Sequence, residues 1–310
     1  MLSVVAHHGP IDPGELWTAW NWDPLILVGL VVAAVVYWTA LDRQPPGRAR
    51  SPWPARSFGA GLAVVAVALV SPLDAMSASL GSAHMVQHVL LTTIAAPLLV
   101  LGLPVRTLAG GLAMTARRRL GRWRATPSAR LAARAAADPV LTAGLFVAAL
   151  WIWHARGPYE AVLGSDALHG VEHLTFLVTA LASWAAIVHA RRRQGRAGLG
   201  VLVLFVLSLQ CGLLGVLLTF ATEPRYPSYG TTTQVWGLTP LADQQLAGVI
   251  MWVPAGAVYL VAALLLLRAW INTPSRAWAT AVTATHRVGP TADSGSCRAR
   301  ELDLERLEPR

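Results

Sequence analysis

The sequence predicts an all-α integral membrane protein, a bundle of seven transmembrane helices with the N-terminus outside and the C-terminus cytoplasmic. Three observations carry this expectation. Of 310 residues, 55% are hydrophobic and 13% are charged, with a mean hydropathy of +0.50; a soluble domain carries roughly 25% charge. The apolar residues fall into seven runs, each near the ~20 residues that a helix needs to cross a bilayer. The basic residues sit in blocks between alternate runs.

In chain order the first run, 24–41, follows a segment, 1–23, that contains no basic residue and so lacks the basic start of a cleavable signal peptide. The second and fourth runs, 57–73 and 139–154, are the shortest. The third covers 80–103 and the fifth 168–190. The sixth, 198–221, holds Cys211 beside Gly212 and Gly215, small residues suited to a close helix contact. The seventh is 243–270. Pro97 and Pro254 lie inside the third and seventh runs and are expected to kink them, freeing carbonyls that neighbours must satisfy. Residues 24–272 thus form the membrane domain. The polar tail, 273–310, is expected to be disordered in the cytoplasm, with Cys297 a cytosolic thiol. The two cysteines are far apart and form neither a disulfide framework nor a Cys-x-x-Cys site.

Orientation follows from arginine. All 25 basic residues are Arg. Arg43, Arg48, Arg50 and Arg56 lie between the first two runs. Eight more, from Arg106 to Arg134, lie between the third and fourth. Arg191, Arg192, Arg193 and Arg196 lie between the fifth and sixth, and Arg268 and all those after it follow the last run. Only Arg156 and Arg225 remain for the opposite side. By the positive-inside rule the crowded side faces the cytoplasm. The net charge of +9 therefore reads as topology, with no nucleic acid implied; for the eight Arg from Arg106 to Arg134 a docking surface for acidic lipid headgroups is the alternative. The absence of Lys excludes a retinal Schiff base.

With the layers assigned, the histidines gather. His84 and His88 begin the third run four residues apart, on one helical face and about 6 Å apart along the axis. His169 and His173 begin the fifth run with the same spacing, and His154 ends the fourth. All five fall in the outer layer, as do Asp74, Glu172 and Asp243. His7 and His8 lie in the outer N-terminal segment, His189 at the inner end of the fifth run and His286 in the tail. Ionisable residues inside spanning helices are functional candidates by default, and neutral imidazoles suit Zn, Cu, Fe or Ni. The metal-ligand candidates are therefore His84, His88, His154, His169 and His173. Met85 and Met251 offer soft thioethers for Cu(I), and Glu172 and Asp243 suit acceptors that orient imidazole N–H groups. The plainer reading makes each histidine an interfacial hydrogen-bonder. The loop 222–242, with Tyr226, Tyr229 and Trp236, reads as interfacial belt or as a lid over an outer site.

Three functions compete. A b-type cytochrome would use facing histidine pairs as axial haem ligands. An ion or metal transporter would place ionisable groups at mid-depth, where this chain is almost purely apolar. A metal-handling assembly factor needs only an outward-facing site. No nucleophile–base arrangement suggests an enzyme.

Three segments together resemble a known family. The first is His84-Met85-Val86-Gln87-His88, followed by Ala95-Ala96-Pro97-Leu98-Leu99 and Gly102-Leu103-Pro104. The second is Trp153-His154, Pro158-Tyr159-Glu160-Ala161 and Leu168-His169-Gly170-Val171-Glu172-His173-Leu174-Thr175-Phe176, ending near Trp184. The third is Leu238-Thr239-Pro240-Leu241-Ala242-Asp243-Gln244-Gln245, then Gly248-Val249-Ile250-Met251-Trp252. In order and separation they resemble the multi-spanning CtaG-type cytochrome c oxidase assembly factors of bacteria, over roughly residues 15–270. In that family a Pro follows the Trp-His pair more closely, and a Gly-Gly pair follows the Asp-Gln motif; here Ala155-Arg156-Gly157 and Ala247-Gly248 stand there. The resemblance implies a multi-pass protein of the bacterial plasma membrane. It further implies a role in building a haem–copper oxidase, with the catalytic subunit as partner and copper as the metal handled. His84, His88, His154, His169 and His173 match the family's histidine-bearing positions, and Asp243 its acidic one.

Overall fold

The computed structural model describes residues 11–44, 51–102, 104–192 and 197–272. His7, His8, His286, Cys297 and the tail 273–310 lie outside the described residues. Among the described residues every regular element is helical. The histidine site lies wholly within the compact unit that ends at Leu267.

Helix α1 (Pro24–Asp42) starts where Asp23 accepts from the Leu25 N–H at 2.6 Å, with Pro24 at a position whose missing N–H is harmless. Next come α2 (Trp53–Leu69), α3 (Pro72–Ser77) and α4 (Gly81–Val89). Through a π-helical segment, Leu90–Ala95, α4 continues into α5 (Ala96–Leu101). The arginine-rich connection folds as α6 (Pro104–Gly111), α7 (Met114–Arg124) and α8 (Pro127–Ala136). Asp138 then caps α9 (Pro139–Trp153) by accepting from the N–H groups of Val140 and Leu141. Short α10 (Arg156–Leu163) leads into α11 (Asp166–Arg192), α12 (Ala197–Thr219) and α13 (Pro240–Ile271).

Five of these helical stretches are long and apolar enough to cross a membrane, and a sixth qualifies if α8 and α9, bent by 67°, count as one. Apolar α2 has 17 residues and is shorter than the five. The chain is thus a multi-pass, all-helical membrane protein. The outward faces say the same: Leu25, Val28, Val31, Val32 and Val35 of α1 are each more than half exposed, a stripe suited to lipid rather than water.

Pro97 does not produce a simple kink. It has no N–H to give, and the helix before it widens into the π segment. The Thr92 hydroxyl donates to the His88 carbonyl at 2.6 Å and the Thr93 hydroxyl to the Val89 carbonyl at 2.7 Å. The Thr92 carbonyl takes the indole N–H of Trp184 at 2.9 Å. A neighbouring helix thus supplies a donor where proline removes one. The π segment starts two residues after His88, so it sets the angle at which the histidine-bearing turns meet the bundle. Elsewhere small residues bring backbones together: a Cβ on Gly215 of α12 would lie 2.8 Å from the Gly248 carbonyl oxygen of α13. This is the close contact expected near Cys211.

Candidate metal centre

The N-terminus of α4 is held from both sides. Its first N–H groups have no helical partner, and Leu80 at the cap position has no side-chain acceptor. Asp243, in the first turn of α13, takes over: it accepts from the Gly81 N–H at 2.7 Å, the Ser82 N–H at 3.1 Å and the Ser82 hydroxyl at 2.5 Å. Gln87 fixes the rotation of the helix. Its amide donates to the Ala68 carbonyl and to Asp74, each at 2.8 Å, and Asp74 in turn accepts from Asn21 at 2.7 Å. Asp243 and Asp74 therefore hold backbone and amide groups, where the sequence reading had Asp243 orienting imidazoles. The residue next to Gln87 carries one of the candidate ligands.

On that support the histidines come together. Ring centroids lie 4.4 Å apart for His84 and His88, 4.2 Å for His169 and His173, 5.0 Å for His84 and His169, and 5.4 Å for His88 and His173. His154, at the C-cap of α9, sits 5.7 Å from His88. His84 and Glu172 are fully buried, and His88, His154 and His173 nearly so. His189 lies near the other end of α11.

The tightest convergence is His84, His88 and Glu172. The two Nε2 atoms are 2.8 Å apart, and Glu172 places one carboxylate oxygen 3.2 Å from His84 Nε2 and the other 3.7 Å from His88 Nε2. Two nitrogens bound to one ion at tetrahedral angles, each about 2.0–2.1 Å from it, lie about 3.4 Å apart. The observed distances bracket that edge, so sub-ångström adjustment would seat an ion. His84, His169 and His173 form a second group in which one ligand atom from each lies within 4.8 Å of the others. The buried Nδ1 atoms of His84 and His88 have no hydrogen-bond partner among the described residues. In a purely structural cluster such groups are normally paired. Glu172 thus stands at ligand distance, closer in than the orienting role expected of it.

Tyrosines close the site. The Tyr159 ring lies 5.4 Å from the His84 ring and stacks on Tyr226 at 3.8 Å. The Tyr226 hydroxyl donates to the His154 carbonyl at 2.9 Å, and that of Tyr229 to the Ser77 carbonyl at 3.0 Å. Ser228 donates to Glu160 of α10. Burial pushes all three phenols above the usual tyrosine range, so they serve as neutral donors. The loop after α12 is therefore strapped over the histidines, and Tyr226 and Tyr229 are buried lid residues. Met85 packs with its sulfur 3.4 Å from His154 Nε2. Met251 lines a cavity on the same side. Sequence reasoning missed Gln87 and Tyr159 as parts of the site. The one signal for Gln87 was an amide between two histidines at the start of a long apolar run.

No curated protein and no solved structure matches this chain. The family model described as cytochrome c oxidase caa3 assembly factor (Caa3_CtaG) matches residues 26–273, most of the chain and the whole histidine site. The chain belongs to that family of cytochrome c oxidase assembly factors.

Proposed function

We propose that this assembly factor handles copper for the catalytic subunit of a haem–copper oxidase, as cargo held by His84, His88 and Glu172, with His169 and His173 completing the site and His154 at its edge beside His88. The observation that supports this most is the convergence of two imidazole nitrogens and a carboxylate at 2.8–3.7 Å inside an apolar bundle. A buried carboxylate among neutral imidazoles lacks a countercharge, and a bound cation supplies one. The protein's part is to hold, desolvate and release the ion; no covalent step is required. The haem reading is less well supported. The four paired histidines have rings in mutual contact, and the cavity beside them is about 20 Å³, far short of a macrocycle.

The test is complementation of a strain deleted for the gene. His84→Ala and Glu172→Gln, each checked for normal membrane levels, are expected to leave oxidase activity and copper per haem at the deletion level. Wild-type activity from either variant would overturn the copper role.

The same reading places seven spans in a bacterial plasma membrane, with α2 and α9 as the short second and fourth. The segment 1–23 and the histidine layer are outside, the membrane domain is 24–272, and the tail 273–310 is cytoplasmic. The arginine partition supports it. In a background lacking Cys211 and Cys297, a membrane-impermeant thiol reagent added outside is expected to label Ser228→Cys and to spare Gln194→Cys. The opposite pattern would invert the topology and put the site on the cytoplasmic face.

A further inference from the structure

Beside the histidine–carboxylate group lies a cavity of about 20 Å³ whose wall includes Met85, His88, His154, Cys211 and Met251. That is room for one water-sized guest. The donors come from four elements: α4, the end of α9, α12 and α13. All five residues are at most 6% exposed.

The decisive detail is the proton of His154. Its Nδ1 lies 2.8 Å from the Leu150 carbonyl oxygen, which can only accept, so Nδ1 carries the hydrogen. In the neutral ring Nε2 is then a bare lone pair. It faces the Met85 sulfur at 3.4 Å, and a thioether is also only an acceptor. Two lone-pair donors confront each other with no proton between them. A second proton on the ring would relieve this only by burying an imidazolium in an apolar wall. A soft cation relieves it directly. A nitrogen about 2.0–2.1 Å and a sulfur about 2.3 Å from one ion, at a tetrahedral angle, lie about 3.5 Å apart.

The geometry points to a second metal site in this cavity, made by His154 Nε2 and the thioethers of Met85 and Met251, that takes a soft monovalent ion, Cu(I). Thioether sulfur selects Cu(I) over harder divalent ions. The thiolate is the metal-binding form of cysteine and an apolar wall disfavours it, so Cys211 is left out of the ligand set. His88 borders both sites: its Nε2 meets His84 and Glu172, while the ring also lines the cavity. An ion leaving the carboxylate group therefore needs to exchange ligands over only one side chain to reach the sulfur set. The inference deepens the copper reading above and rests on it for the identity of the cargo.

The experiment uses the full chain in detergent, with Cys211→Ser and Cys297→Ser to remove thiols, titrated with Ag(I) and with Cu(I) under reducing conditions. One Ag(I) per chain is expected, with metal–sulfur scattering in the X-ray absorption spectrum of the Cu(I) form. Met85→Leu and Met251→Leu keep the packing volume, and together they should remove that scattering and weaken Ag(I) binding at least about 100-fold. Glu172→Gln should leave Ag(I) binding in place. Absence of metal–sulfur scattering in the thiol-free chain, or unchanged Ag(I) affinity in the double Leu variant, overturns the site. Failure of Glu172→Gln to alter copper binding, with the sulfur signal intact, would instead count against the histidine–carboxylate site alone.

Discussion

His84→Ala is expected to remove more copper binding than any other single change, weakening it by at least about 100-fold, or roughly 2.7 kcal/mol. His84 alone belongs to both ligand groups, one with His88 and Glu172 and one with His169 and His173. Losing His88 or His173 removes one partner from one group. Losing His84 takes a ligand from both and leaves Glu172 buried without its nearest imidazole, which stood at 3.2 Å. Residues that share one ion do not lose affinity additively. Adding Glu172→Gln or His88→Ala to His84→Ala should therefore cost little more. His189→Ala is the control: it sits sixteen residues beyond His173 on α11, about 24 Å along the axis, and should bind as wild type. Competition titration of purified variants against a chelator of known affinity measures all of this. If His84→Ala binds within about threefold of wild type, less than ~0.7 kcal/mol, the shared-ligand arrangement is wrong.

Much of this site is legible in the chain, for identifiable reasons. Four-residue spacing puts His84 with His88 and His169 with His173 on single faces, and arginine counting places both pairs in one layer. Glu172 was legible too, since it lies three residues after His169 and one before His173, on the same side of α11. What it touches was not legible. Glu172 and Asp243 are both acids at the start of long apolar helices, and only the packing of α11 and α13 against α4 separates them. One meets imidazole nitrogens and the other meets a helix N-terminus far away in sequence. The π segment shows the same limit. Pro97 announces a disturbed helix, but its form depends on Thr92, Thr93 and on Trp184 from another helix. The short second and fourth runs were visible as short; what they lack in length is a matter of the bilayer and of neighbours, not of local pattern.

Asp243→Ala is expected to give the largest loss of stability, about 3–5 kcal/mol, because hydrogen bonds to a charged group contribute about 1.5–3 kcal/mol each and their loss leaves buried N–H groups unpaired. Three donors at the start of α4 depend on this carboxylate, and it also complements the positive end of the helix dipole. His84 lies in the first turn of that helix, so copper binding should weaken as a consequence of the looser start. Asp243→Asn keeps one acceptor oxygen but turns an amide N–H toward donors, and should lie between wild type and Ala. The comparison with Glu172→Gln separates holding the helix from holding the ion. Asp243 variants should lower the thermal midpoint in detergent more than they lower copper affinity, while Glu172→Gln should do the reverse. If Asp243→Asn melts like wild type yet loses copper as completely as His84→Ala, then Asp243 is a ligand, and the role assigned to its three hydrogen bonds at Gly81 and Ser82 is mistaken.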